Sequence, residues 1–161
     1  FVPHIKSQNL ENLTIASPDM GGSKRANNYA KWLTSEMVIC YKQRKKANVI
    51  ERMTVIGDVE GRNVVLIDDM VDTAGTLTKA ADMLIEKGAL SVQAYCTHGV
   101  LSGKAIERIE NSQLTRLVIT DTIPQKSGCS KIEVLPIAEL FANIMQKVHN
   151  HESISSHFLE N

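Results

Sequence analysis

Val64-Val65-Leu66-Ile67 is an unbroken apolar run, and it leads directly into Asp68-Asp69 and then Asp72-Thr73-Ala74-Gly75-Thr76. A short run without polar alternation is apolar on both faces, so it predicts a central parallel strand covered on each side. Parallel neighbours cannot be joined by tight hairpins and need long crossovers, usually helices. The fold therefore has to alternate strands with helices, and the rest of the chain can be tested for that rhythm.

The rhythm is present. Leu13-Thr14-Ile15-Ala16-Ser17 predicts a short buried strand, ended by Pro18-Asp19 and the Gly21-Gly22 turn. A helix follows to about Leu33, with Ala26, Tyr29, Ala30 and Leu33 on one face. Further strands are predicted over residues 37–41, 53–56, 91–96, 117–120 and 132–135. Another helix is predicted over about residues 76–87, with Leu77, Ala80, Ala81 and Leu84 as its apolar stripe and Gly88 just past its end. Ser102 is placed to cap a helix running through Ile109, and the last long helix is predicted over 138–149. Strands alternating with helices give an α/β, doubly wound, mostly parallel sheet. Two polar stretches lack periodicity, residues 42–52 and 125–131, and read as loops.

Composition sets the outer bounds. At 161 residues the chain is expected to form one domain, residues 1–161, large enough to bury roughly 70% of its unfolded surface without staples. Cys40, Cys96 and Cys129 are far apart, odd in number and outside any CxxC pair, which predicts reduced thiols and a cytoplasmic protein. Eighteen basic and eighteen acidic residues leave no basic excess for nucleic acid. The apolar runs fall short of the ~20 residues of a membrane span. Phe1-Val2-Pro3-His4 is neither a secretory leader nor an initiator Met, so a fragment of a longer protein is expected. His98, His149 and His151 have no partner at metal-ligand spacing and read as surface or packed histidines.

The chemistry is concentrated at the end of the 64–67 strand. In open α/β sheets ligands bind at the carboxyl ends of strands. A tight turn at a helix N-terminus offers free backbone N–H groups to an anion, and Gly75 permits close approach to the backbone. The helix dipole contributes roughly 0.3–1 kcal/mol. Each hydrogen bond to a charged group contributes about 1.5–3 kcal/mol. Several amides with the hydroxyls of Thr73 and Thr76 therefore outweigh the dipole. Asp68 and Asp69 would repel a phosphate, but they suit the vicinal hydroxyls of a sugar and an accompanying Mg²⁺. The bland alternative is an acidic turn in which Asp72 or Thr73 merely caps a helix. An acid pair followed by Asp-Thr-Ala-Gly-Thr is more specific than that, and describes a site for a 5-phosphorylated ribose.

This segment resembles the phosphoribosyl pyrophosphate motif of type I phosphoribosyltransferases and of the ribose-phosphate pyrophosphokinase (PRPP synthetase) family. There the acid pair holds the ribose hydroxyls and the turn holds the 5-phosphate, which implies ribose 5-phosphate binding by Asp68, Asp69, Asp72, Thr73, Ala74, Gly75 and Thr76. Five further stretches favour the pyrophosphokinases. Ser17-Pro18-Asp19-Met20-Gly21-Gly22-Ser23-Lys24-Arg25 is similar to their Ser-Pro-Asp-x-Gly-Gly-x-x-Arg segment, implying Asp19 as a Mg²⁺ ligand and Gly21 and Gly22 as a pyrophosphate loop. Tyr41-Lys42-Gln43-Arg44-Lys45-Lys46-Ala47-Asn48 is similar to their flexible catalytic loop, implying Lys42 and Arg44 as the catalytic pair. Read without the resemblance, such a charge run is a solvated loop. Thr97-His98-Gly99-Val100-Leu101-Ser102-Gly103 and Asp121-Thr122-Ile123-Pro124 match two more segments. The tail, with Ser153 and Ser155, resembles an ending found in or near an allosteric site.

The resemblance covers essentially the whole chain, as the C-terminal half of a two-domain enzyme. It implies transfer of the β,γ-pyrophosphate of ATP to the anomeric hydroxyl of ribose 5-phosphate, with Mg²⁺ as cofactor. It also implies an N-terminal domain as partner and a homo-oligomer, a hexamer in the intact enzyme. Two alternatives stand beside it. A nucleobase phosphoribosyltransferase would need a hood over the base, for which residues 42–52 offer no stacking aromatic. A non-catalytic regulatory homologue should lose the loop cations, yet Lys42 and Arg44 are present.

Overall fold

The computed structural model describes residues 1–43, 52–125 and 128–157. Seven strands form one sheet: β1 (Leu13–Ser17), β2 (Glu36–Gln43), β3 (Arg52–Ile56), β4 (Asn63–Val71), β5 (Ser91–Gly99), β6 (Arg116–Thr120) and β7 (Ile132–Leu135). Their order across the sheet is β3-β2-β1-β4-β5-β6-β7. Every neighbouring pair is parallel except β2 and β3. The helices are α1 (Val2–Ser7), α2 (Ser23–Leu33), α3 (Gly75–Glu86), α4 (Ala105–Asn111) and α5 (Ala138–His149). The doubly wound, mostly parallel sheet expected from the alternation is the observed architecture.

Strand periodicity divides the core into two layers. Val64 and Leu66 point to a cluster shared with Leu77, Ala80, Ala81 and Leu84 of α3 and Ala105 and Ile109 of α4. Val65 and Ile67, alternating with them, meet Ile5 of α1, Ala26 and Ala30 of α2, and Tyr95. All four β4 residues from Val64 to Ile67 are essentially inaccessible to solvent, as a strand covered on both faces requires. Cys40, Cys96 and Cys129 are buried and unpaired. Burial pushes the Cys40 thiol up to about 12, so it stays neutral.

Several boundaries differ from the sequence reading. β4 continues through Asp68, Asp69 and Met70, because β5 pairs with it as far as Met70↔His98 and Val71↔Gly99. β2 extends to Gln43 and β3 begins at Arg52, in antiparallel register with Lys42↔Met53 and Gln43↔Arg52. Backbone pairing there overrides a charge pattern that reads as loop. α4 begins at Ala105 with Lys104 at its N-cap, so Ser102 is not its cap. The Ser102 hydroxyl donates to Asp72 instead.

α1 has no counterpart in the sequence reading. It is one and a half turns opened by Pro3, too short to show helical periodicity. It is fastened from the sheet: His4 Nδ1 lies 3.0 Å from the Tyr95 hydroxyl and His4 Nε2 3.1 Å from Glu133 Oε1. Arg116 Nη1 donates to both Gln8 Oε1 and Glu133 Oε2 at 3.0 Å. Among the described residues, no helix is long and apolar enough to cross a membrane.

Candidate active site

The strand order reverses direction at β1 and β4, which lie side by side while the chain proceeds outward from them on both sides. Such a switch point opens a crevice at the carboxyl ends of the two strands. The segments after β1 and β4 are the two that carry Asp19, Gly21 and Gly22, and Asp68 to Thr76. The structure thus brings both motifs to one edge of the sheet.

The turn after β4 is fixed from outside. Val71 C=O accepts from the amides of Val100 and Leu101 at 3.0 and 3.1 Å, and Asp72 C=O accepts from Ser102 N at 3.1 Å. Arg108 Nη1 donates to Thr73 C=O at 2.7 Å. The Thr97–Gly103 segment and α4 therefore serve as a frame for this turn. Ala74 is the N-cap of α3, with φ of 59° in the left-handed region. A non-glycine residue held there costs roughly 1–2 kcal/mol. The left-handed position is therefore Ala74, whereas the glycine beside it, Gly75, leaves the surface open: a Cβ there would approach nothing closer than 3.8 Å. The first amides of α3 have no intrahelical acceptor. Thr73 and Thr76 are exposed beside them. No acid caps the helix, so the capping alternative for Asp72 or Thr73 is not what the turn does.

The loop after β1 is as tight. Ser17 Oγ donates to Asp19 C=O at 2.7 Å, and Asp19 Oδ1 accepts from Gly22 N at 3.1 Å. A Cβ on Gly22 would sit 2.8 Å from Ser17 Oγ, and one on Gly21 would sit 3.2 Å from Asp19 Oδ1. The glycine pair is thus needed by the turn itself, whatever else it admits.

Asp19, Asp68 and Asp72 to Thr76 line one cleft of about 180 Å³. Thr73, Gly75 and Thr76 also border a larger cleft of about 450 Å³, with Met53, Thr78, Lys79 and Arg108. The turn is therefore a wall between two depressions. Asp69 is exposed next to Asp68, and Lys42 lies on β2 in register with Met53. Arg44 lies outside the described residues. Ser153 and Ser155 hydrogen-bond to one another beyond α5, at 3.0 Å, and do not line either cleft.

The acid pair carries a feature that sequence spacing does not reveal. Arg25 of α2 reaches across with a forked contact, Nη1 to Asp68 Oδ1 at 2.9 Å and Nη2 to Asp69 Oδ2 at 2.7 Å. Burial, joined by the neighbouring Asp69, pushes the Asp68 carboxyl up to about 6, against the Asp69 amide and Arg25. Asp69 moves the other way. Its slight burial opposes ionisation, but the Asp68 side chain, the Arg25 charge and nearby amides outweigh it and hold its carboxyl below the usual range. Arg25 stands in the quoted motif, but its partners are 43 and 44 residues away. Arg108, which no motif flagged, likewise meets a distant partner, Thr73, 35 residues away.

A mostly parallel sheet carrying an acid pair and a helix-opening turn at its switch point defines an α/β protein of the phosphoribosyltransferase-like class. The family described as Phosphoribosyl synthetase-associated domain matches residues 41–159, and the chain belongs to it. A ribose-phosphate pyrophosphokinase of Porphyromonas gingivalis is 51% identical over 157 residues, covering 97% of this chain and 50% of that protein. One from Wolinella succinogenes is 50% identical over 159 residues, covering 99% of this chain and 52% of that protein. The crystal structure of phosphoribosylpyrophosphate synthetase from Mycobacterium smegmatis superposes with a TM-score of 0.84 at 31% identity, over 93% of this chain and 49% of that one. The chain spans about half the length of the curated relatives it matches.

Proposed function

We propose that this chain is the C-terminal half of a ribose-phosphate pyrophosphokinase and carries its ribose 5-phosphate site. The observation that supports this most is the single cleft shared by Asp19, Asp68 and Asp72 to Thr76 at the sheet's switch point. In this reading the turn's amides and the hydroxyls of Thr73 and Thr76 hold the 5-phosphate. Asp68 and Asp69 accept the sugar hydroxyls, which fixes the anomeric carbon relative to the Asp19 loop. The anomeric oxygen attacks the β-phosphorus of ATP, forming a new P–O bond. The bond from that phosphorus to the oxygen bridging the α-phosphate breaks, AMP leaves, and the hydroxyl proton is released to solvent. Catalysis is then mainly positioning and charge neutralisation. Lys42 and Arg44 are assigned to charge on the transferring group.

The donors present fit Mg²⁺ in a particular mode. Among the described residues no cluster of three His, Cys, Asp or Glu side chains could hold a metal by itself. Mg²⁺ commonly uses one or two carboxylates together with substrate oxygens and water. Asp19 would hold it in that way, and the ion would neutralise charge on the diphosphate. The tail with Ser153 and Ser155 is proposed to serve an allosteric site, and the intact enzyme to be a cytoplasmic homo-oligomer, a hexamer.

The missing half of the relatives' length would supply the adenine contacts and further metal ligands. Losing that positioning removes a proximity contribution of roughly 7–11 kcal/mol. The test is AMP release from ATP and ribose 5-phosphate by this chain, with and without the separately expressed N-terminal half of a full-length relative. Activity only in the mixture supports the reading. Substantial turnover by this chain alone refutes the two-half account.

A further inference from the structure

Among the described residues, Arg25 contacts both members of the acid pair, and its geometry is specific. A guanidinium is a rigid planar fork. Here each arm takes one oxygen from a different carboxylate: Asp68 Oδ1 and Asp69 Oδ2. Asp68 Oδ1 also accepts from Asp69 N at 2.9 Å, so one Asp68 oxygen is fully committed to the protein. Each carboxylate has about four lone-pair positions over two oxygens, and Arg25 takes one on Asp68 Oδ1 and one on Asp69 Oδ2, while the two side chains also meet one another and nearby amides reach Asp69. The two acids are adjacent on β4, and adjacent strand residues normally project to opposite faces. Here both carboxyls instead converge on Arg25 and act on one another directly. Arg25 lies beside the Gly21-Gly22 entry to α2, where a Cβ on Gly22 would stand in ordinary contact with it, 3.7 Å from Arg25 Nη1.

We propose that Arg25 is a positioning residue that presents Asp68 and Asp69 as a matched pair of acceptors, and so determines selectivity for a sugar with vicinal hydroxyls. This rests on the proposed ribose 5-phosphate reading of the site. Two like charges on neighbouring residues would otherwise turn apart or share a proton, and a protonated acid presents one acceptor fewer. Arg25 supplies the counter-charge without occupying the second oxygen of either acid. It acts on substrate through the carboxylates and has no phosphate to hold in this role. Removing it should therefore cost discrimination at the diol and little else.

The experiment is a titration of this chain and its Arg25→Met and Arg25→Lys variants with ribose 5-phosphate, 2-deoxyribose 5-phosphate and inorganic phosphate. Wild type is expected to prefer ribose 5-phosphate over its 2-deoxy analogue by about tenfold, the value of one hydrogen bond to a charged acceptor. Arg25→Met should reduce that preference to about twofold or less, while inorganic phosphate affinity stays within about twofold of wild type. Retained phosphate binding shows that the turn is still folded. Arg25→Lys should recover only part of the preference, since one ammonium cannot reproduce the fork; it also serves if the Met variant does not fold. Full recovery by Lys would show that charge alone suffices and overturn the geometric claim. Tighter ribose 5-phosphate binding in Arg25→Met would show that Arg25 blocks the diol, and an equal loss for all three ligands would make it a general anion attractor; either overturns the inference. An unchanged preference in both variants overturns it while leaving the ribose 5-phosphate reading intact. A wild-type protein with no preference for the 2-hydroxyl removes the reading and the inference together.

Discussion

Asp68→Asn separates what this site does for the fold from what it does for a ligand. Asp68 is three-quarters buried, with a side-chain exposure of 27%, and its carboxyl is pushed up to about 6 from an ordinary 3.8. A raised carboxyl means that the folded state binds the proton more tightly than the unfolded chain does. Between pH 3.8 and about 6 the folded state thus carries more protons, and stability falls as pH rises through that window. Above it the ionised Asp68 costs the fold at most about 3 kcal/mol. The cost is smaller in practice, because Asp69 is displaced in the opposite sense and Asn weakens the contact with Arg25. A net gain of about 1 kcal/mol for Asp68→Asn at pH 7.5 is the expectation, or roughly 2–4 °C in Tm for a chain of this size. Urea unfolding at pH 7.5 and pH 4 measures it. The gain should be present at pH 7.5 and largely gone at pH 4, where wild-type Asp68 is protonated too. Destabilisation of 1 kcal/mol or more at pH 7.5, or a gain that ignores pH, would refute the assignment of Asp68 as a carboxylate that the fold tolerates at a cost.

Three further outcomes follow from other parts of the structure. Gly22→Ala places a Cβ 2.8 Å from the buried Ser17 Oγ, so the Asp19 turn must shift, and urea unfolding should show a loss of about 1–3 kcal/mol. Arg108→Ala removes the 2.7 Å donor from Thr73 C=O, and inorganic phosphate affinity by calorimetry should fall about fivefold, with global stability changed by under about 1 kcal/mol. Arg116→Ala breaks the bridge from Gln8 to Glu133, and hydrogen exchange at Ile5 should quicken by about tenfold as α1 loosens from β7, while amides in β4 keep their protection.

Much of this architecture is legible in the sequence, and the reason is visible in β4. Val64 to Ile67 are apolar on both faces, so their pattern reports a covered parallel strand directly. β1 and β6 are recognised on the same ground, and α3 by its stripe of Leu77, Ala80, Ala81 and Leu84. What escapes the sequence depends on pairing between distant residues. Asp68 and Asp69 read as the end of a strand because carboxylates disfavour sheets, yet β5 pairs alongside and carries the strand on. Ser102 has the chemistry and spacing of a cap, and only the fold shows Asp72 within its reach. The position of the Asp-Thr-Ala-Gly-Thr turn is readable from its strand and helix. That Arg108 buttresses it, and that Arg25 clasps the acids before it, require the β1–β4 neighbourhood and the packing of α2 and α4.

In the proposed function, the turn at Asp72 to Thr76 holds the phosphate of a ribose 5-phosphate whose hydroxyls face Asp68 and Asp69. The most direct measurement is a titration of isotopically labelled chain with ribose 5-phosphate, followed by amide resonances. The largest shifts should fall on Thr73, Ala74, Gly75 and Thr76, with a second group at Asp68 and Asp69 that inorganic phosphate alone does not produce. Saturating shifts elsewhere, with the amides of this turn unmoved, would contradict the account.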